Sequence, residues 1–80
     1  MPEFTGKVVR KMFGKGSKSE HEAVYLETES KEYVLRRRGG NPFYDEEMQK
    51  LVDKTIRCTG VVVDYALLIS KWTVIDEGGK

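Results

Sequence analysis

Two β-rich runs joined by a short turn fill the stretch Thr55–Ile75, which reads TIRCTGVVVDYALLISKWTVI. β-Branched and aromatic residues dominate both runs, and such residues favour strands over helices. The interruption at Asp64–Ala66 predicts a hairpin between a fourth strand, Thr55–Asp64, and a fifth, Leu67–Ile75. Because the three valines at 61–63 are apolar on both faces, we expect this part of the fourth strand to be covered on both sides.

Three further strands are predicted before this pair. Alternating apolar and polar residues indicate strands over Phe4–Phe13, Glu22–Thr28 and Glu32–Arg37. Gly6 in the interior of the first strand indicates a bulge or a sharp bend of the kind that barrel corners need. The polar segment Gly14–His21 contains glycine, serine and lysine and no apolar residue, so it predicts a loop.

A helix is predicted between the third and fourth strands, over Asp45–Lys54. Asp45 suits the N-cap position, and Glu46 and Glu47 lie favourably near the positive end of the helix dipole. Apolar residues recur at helical spacing and form one stripe. That stripe, which we expect to seal one end of a barrel, consists of Tyr44, Met48, Leu51 and Val52.

Length and composition fit one small domain over residues 1–80, with residues 76–80 as a frayed tail. Hydrophobic residues make up 39% and charged residues 34% of the chain. The sequence contains no apolar run near the roughly 18 residues of a membrane span, so no membrane association is expected. The single cysteine, Cys58, cannot form an internal disulfide, and a reducing cytoplasm is therefore the expected location.

The order strand, strand, strand, helix, strand, strand resembles that of the OB-fold, the oligonucleotide/oligosaccharide-binding barrel. The resemblance covers nearly the whole chain, and the segment GNPFYDEEMQKLVDKTIRCTGVVV is also similar to small uncharacterised bacterial OB-like proteins. It implies a mainly β fold, a five-stranded Greek-key barrel with one helix between strands 3 and 4. The rival is an SH3-like barrel, which would carry a short 3₁₀ turn late in the chain instead of this helix.

The resemblance also implies a ligand-binding face on strands two and three, flanked by the loops between strands one and two and between strands four and five. Single-stranded nucleic acid needs cations for its phosphates and flat aromatic faces for its bases. The candidate residues on this face are Lys15, Lys18, Arg36 and Arg38 for phosphates, and Tyr25 and Tyr65 for bases.

Charge patterning keeps a second function open. The first 40 residues carry nine Lys/Arg and six Asp/Glu, a balance of +3, which is a modest basic excess. Several glutamates crowd the predicted second and third strands and repel phosphate. The sequence therefore predicts a binding module for single-stranded DNA or RNA of modest affinity, or alternatively a protein-interaction or accessory module that uses the same face.

Catalysis, metal binding and cofactor binding find no support in the sequence. One histidine and one cysteine are too few for a zinc site or a nucleophilic triad. The run GKGSKS lacks the spacing and the strand-to-helix position of a phosphate-binding loop. We therefore expect a protein that is not an enzyme, with Cys58, Tyr33 and Trp72 contributing to the core.

Overall fold

The computed structural model describes residues 2–13, 21–40 and 45–78, and of Phe13 and His21 it describes the backbone alone. The fold is mainly β, with five strands in one sheet and one short helix between the third and fourth strands, as the sequence predicts. The elements are β1 (Glu3–Phe13), β2 (His21–Glu27), β3 (Glu32–Arg37), α1 (Glu46–Gln49), β4 (Thr55–Val63) and β5 (Ala66–Asp76).

The five strands pair in the order β1-β2-β3-β5-β4, and β1 also pairs with β4, so the sheet forms a ring. All pairs are antiparallel except β3 with β5, which is parallel. β1 can serve two neighbours because its first half pairs with β4 and its second half with β2, with Lys7 taking part in both ladders.

Gly6 lies at the bend where β1 passes from one neighbour to the other. A Cβ atom on Gly6 would stand 2.2 Å from the carbonyl oxygen of Glu27, so only glycine allows this approach of two backbones. Gly6 pairs with Ile56 in the β1–β4 ladder, which runs from Glu3 to Lys7 without a shift, so the predicted bulge is absent there. The alternative, a bend, fits the change of partner from β4 to β2 at Lys7.

The core fills the interior of the ring, and α1 contributes Met48 to it. Met48 and Leu51 of the predicted helical stripe are buried, and Val52 packs against them. Tyr33 and Trp72 are half-buried against the same cluster, which confirms their predicted place, and Cys58 is buried as predicted. The buried cluster consists of Val8, Val24, Leu26, Leu35, Met48, Leu51, Ile56, Cys58, Leu67 and Ile69.

The helix is shorter than predicted. Asp45 caps it as expected, with its side chain accepting from the Glu47 N–H, but α1 ends at Gln49 and the chain continues in turns. At Asp53 the backbone enters the left-handed region with φ of 76°, and its N–H donates to the Val8 carbonyl at 2.7 Å. The Val8 N–H in turn donates to the Lys54 carbonyl at 2.8 Å. The Asp53 N–H, which a continuing helix would bond internally, therefore donates to β1 instead.

Two further expectations are wrong. Val62 and Val63 are not covered on both sides, because their side chains are 44% and 48% exposed at the end of β4. The predicted tail does not begin at residue 76, since Asp76 is the last residue of β5, Glu77 forms an ion pair with Lys54 at 3.0 Å, and Asp76 accepts from the Gly78 N–H.

The loop prediction Gly14–His21 includes one residue that belongs to β2, since His21 pairs with Phe13. Residues 14–20 and Tyr44 lie outside the described part of the chain. Within that part, no helix has the length and hydropathy needed to cross a membrane.

Candidate nucleic-acid interface

A row of apolar residues crosses the outer face of the sheet. The strand registers pair Val9 with Tyr25, Tyr25 with Val34, Val34 with Ala66, and Ala66 with Val63. Because directly paired residues point to the same side of a sheet, these five share one face. Val34 and Ala66 are buried yet lie outside the core cluster, so their outer-face neighbours cover them.

Arg36 stands beside this row, in register with Leu68 of β5. Its guanidinium carbon lies 5.9 Å from the centre of the Tyr65 ring, within the range of a cation–π contact. Tyr65 is more than half exposed in the turn between β4 and β5. Among the described residues, the Nε of Arg36 is a buried donor without a hydrogen-bond partner.

Tyr25 completes the set of outer-face aromatics that the sequence predicts. The Lys11 ammonium lies 5.7 Å from the centre of its ring. Partial burial, with Glu32 as a second cause, raises the pKa of the Tyr25 hydroxyl, so the ring stays neutral in the physiological range. The structure therefore brings Tyr25, Arg36 and Tyr65 to one face, as predicted.

Two glutamates on this face are engaged by a lysine that the sequence reasoning did not single out. Glu27 and Glu32 stand directly opposite each other on β2 and β3, a placement in which like charges repel. Lys11 of β1 forms ion pairs with both, at 3.1 Å from Glu27. Its hydrogen bond to Glu32, the larger cause, and its hydrogen bond to Glu27 raise the pKa of the Lys11 ammonium. The ion-pair partner of these two carboxylates is thus Lys11 and not Arg36.

The three consecutive arginines have different surroundings. Arg37 forms two hydrogen bonds with Asp45, at 2.9 Å and 3.1 Å, and so joins β3 to the start of α1. The hydrogen bonds with Asp45 raise the pKa of Arg37. Arg38 is exposed in the turn after β3, and its backbone N–H donates to the Ile69 carbonyl. Arg36 is therefore the arginine that the structure places on the outer face beside an aromatic ring.

A shallow pocket of about 130 Å³ adjoins Arg36. It lies over the β4–β5 turn, where Asp64 adopts a left-handed backbone conformation with φ of 57°. One cation, one carboxylate, one phenol ring and three apolar side chains form its walls. The lining residues are Arg36, Val63, Asp64, Tyr65, Ala66 and Leu68.

Only some of the residues predicted to contact phosphate lie in the described part of the chain. Lys15 and Lys18 lie outside the described residues. Lys11 and Val63 belong to the site and were missed. A lysine on β1 can form ion pairs with both Glu27 of β2 and Glu32 of β3. This role can be recognised only when the register of the three strands is known. Within the described residues, no three histidine, cysteine, aspartate or glutamate side chains could hold a metal ion together.

No protein-family model, no curated protein and no solved structure matches this chain.

Proposed function

We propose that this chain is a non-catalytic OB-type Greek-key barrel that binds single-stranded nucleic acid with modest affinity. The observation that carries the proposal is the grouping of Arg36 with Tyr65 and Tyr25 on the outer face of β2, β3 and the β4–β5 turn. A guanidinium next to phenol rings can contact a phosphate while a base stacks on an aromatic face. We place the protein in the cytoplasm, since its cysteine is single and buried.

The closure of the sheet supports the barrel. β1 pairs at its two ends with different strands, and β3 pairs in parallel with β5, so the chain passes from β3 through α1 and β4 before it returns to the neighbour of β3. That ring order fits the resemblance to the OB-fold, whose usual ligand face lies on strands two and three.

The charge of the outer face also supports binding. The glutamates of β2 and β3 argued against phosphate contact in the sequence, but Lys11 pairs with Glu27 and Glu32 and reduces their field at the surface. The Arg36 guanidinium lies next to the Tyr65 ring. Lys15 and Lys18 precede β2 in the chain and could add further phosphate contacts.

Titration of a fluorescein-labelled mixed-sequence oligonucleotide tests the proposal. Anisotropy measured at two salt concentrations should show saturable binding at low salt that weakens at higher salt. The log–log slope should be about −0.7 per phosphate contacted, as expected for release of counterions from a single strand. Absence of binding at low salt would refute the proposed function.

Charge-reversal variants test which face of the protein binds the oligonucleotide. The double variant Arg36→Glu with Arg38→Glu should abolish binding and leave the circular dichroism spectrum intact, because neither side chain belongs to the core cluster. The matched control is Arg57→Glu with Lys71→Glu, which changes the net charge equally at two exposed residues elsewhere on β4 and β5. Equal losses in both double variants would show that net charge matters and that this face does not.

A protein-interaction or accessory module on the same face is the second candidate. The exposed apolar side chains of Val63 and Tyr65 at the β4–β5 turn favour it, since clustered exposed apolar surface often marks a protein contact. A chain that binds no oligonucleotide at low salt but depends on these two residues for a protein contact would support this candidate.

A further inference from the structure

The pocket beside Arg36 is lined by one cationic residue, one acidic residue and one tyrosine, together with apolar residues. Asp64 contributes the only carboxylate among its lining residues, and Arg36 contributes the only cation. Ala66 and Leu68 are apolar parts of the lining, and Tyr65 adds an aromatic wall. With a volume of about 130 Å³, the pocket has room for one flat ring system and not for a run of bases.

Hydrogen-bonding chemistry discriminates between the four bases in such a pocket. An ionised carboxylate only accepts hydrogen bonds, and a guanidinium only donates them. Guanine carries two adjacent donors, N1–H and the N2 amino group, on one edge and two acceptors, O6 and N7, on another. Adenine and cytosine offer the carboxylate a single exocyclic amino group. Thymine and uracil offer one ring N–H flanked by two carbonyls, which a carboxylate repels.

We propose that this pocket accepts a guanine base of the bound strand, with Asp64 accepting from the N1–H and N2 edge and Arg36 donating to O6 and N7. The inference rests on the proposed function and adds a base preference to it. Single-stranded nucleic acid is commonly read in this way, by stacking an unpaired base and bonding its edges. Because the Nε of Arg36 is buried, the donation to the base falls to the terminal nitrogens of its guanidinium.

A set of oligothymidylates with one central substitution tests the preference. The anisotropy titration at low salt compares strands that carry dG, dA, dC or dT at that position. The dG strand should bind about tenfold more tightly than the all-dT strand, the discrimination expected of one good bidentate base contact. Strands with dA and dC should fall between them.

Two conservative variants locate the source of the preference. Asp64→Asn retains the shape of the side chain and tolerates the left-handed backbone, but it replaces one acceptor oxygen with a donor. It should reduce the dG preference, measured as the ratio of the dG-strand affinity to the all-dT affinity of the same variant, to about twofold or less. Arg36→Lys keeps the charge and removes the planar fork, and it should also weaken the dG preference.

The outcomes separate the two proposals. Binding that is equal for all four strands, or a dG preference that survives Asp64→Asn unchanged, would overturn the guanine assignment and leave the proposed function standing. No binding of any strand would overturn both. As a direct check, 5′-GMP should shift the backbone amide NMR signals of residues 64–68 more strongly than 5′-UMP, and equal shifts would contradict the assignment.

Discussion

At Gly6 the backbone of β1 passes so close to β2 that no side chain fits. We predict that Gly6→Ala destabilises the protein by roughly 1–3 kcal/mol or more, because the new Cβ meets a main-chain oxygen that cannot rotate away. Urea denaturation measures the loss. Thr5→Ala, at the exposed neighbouring residue of β1, is the control and should change the free energy of unfolding by less than about 0.5 kcal/mol. Equal effects of the two substitutions would show that β1 does not bend here as described.

Cys58 allows a prediction of pH dependence. Burial raises the pKa of its thiol from the ordinary value of 9.0 to about 11. The unfolded chain therefore releases this proton first, so the free energy of unfolding falls as the pH rises from about 9 towards about 11. Urea titrations at pH 7.5 and pH 10 should show a larger loss for the wild type than for Cys58→Ala. The same loss in both proteins would mean that the thiol is not buried.

The sequence largely predicted which residues are buried, but it did not predict which side chains form ion pairs with one another. The alternation along the strands placed Cys58 in the core and Tyr33 and Trp72 against it, since it depends only on strand period. Lys11 was missed because its partners, Glu27 and Glu32, lie on two other strands. Only the register of β1 against β2 and of β2 against β3 brings those three side chains together.

The segment after β3 shows how far a helical pattern predicts an element. The stripe of apolar residues correctly identified Met48 and Leu51 as core, because their spacing holds in the short helix and in the turns that follow. Its length was wrong because Asp53 and Lys54 exchange main-chain hydrogen bonds with Val8, a contact that no local pattern encodes.

Leu51→Ala tests whether this segment seals the ring. Leu51 is buried within the core cluster, so its truncation should cost roughly 2–5 kcal/mol by opening a cavity. In a chain of 80 residues that is a large share of a total stability of roughly 4–12 kcal/mol. Lys50→Ala at the exposed neighbouring residue should cost less than about 0.5 kcal/mol. A loss below about 1 kcal/mol for Leu51→Ala in chemical denaturation would show that the segment is not part of the seal.

The ring closure belongs to the molecule as a whole. The order of the elements was predictable because each strand and the helix leave a local pattern, and the resemblance supplied an arrangement for them. The parallel pairing of β3 with β5 and the split pairing of β1 carry no local signal. The outer face depends on that closure, since Tyr25, Arg36 and Tyr65 come from three separate segments of the chain.

The electrostatic balance of the outer face gives the last prediction. Lys11, Glu27 and Glu32 together carry one net negative charge, which lies near Tyr25. Replacing both glutamates by glutamine changes the net charge of this group to +1, whereas Lys11→Met changes it to −2. If nucleic acid binds this face, the first variant should tighten oligonucleotide binding at low salt and the second should weaken it, each by roughly 2- to 10-fold.

Raising the salt concentration should shrink both effects, because exposed charges are screened. Circular dichroism and urea denaturation of each variant separate a change in binding from a change in folding. If the two variants shift the affinity in the same direction, or leave it unchanged at low salt, the phosphates do not pass over Lys11 and its two glutamates. The strand would then have to follow the other side of Arg36, towards the β4–β5 turn.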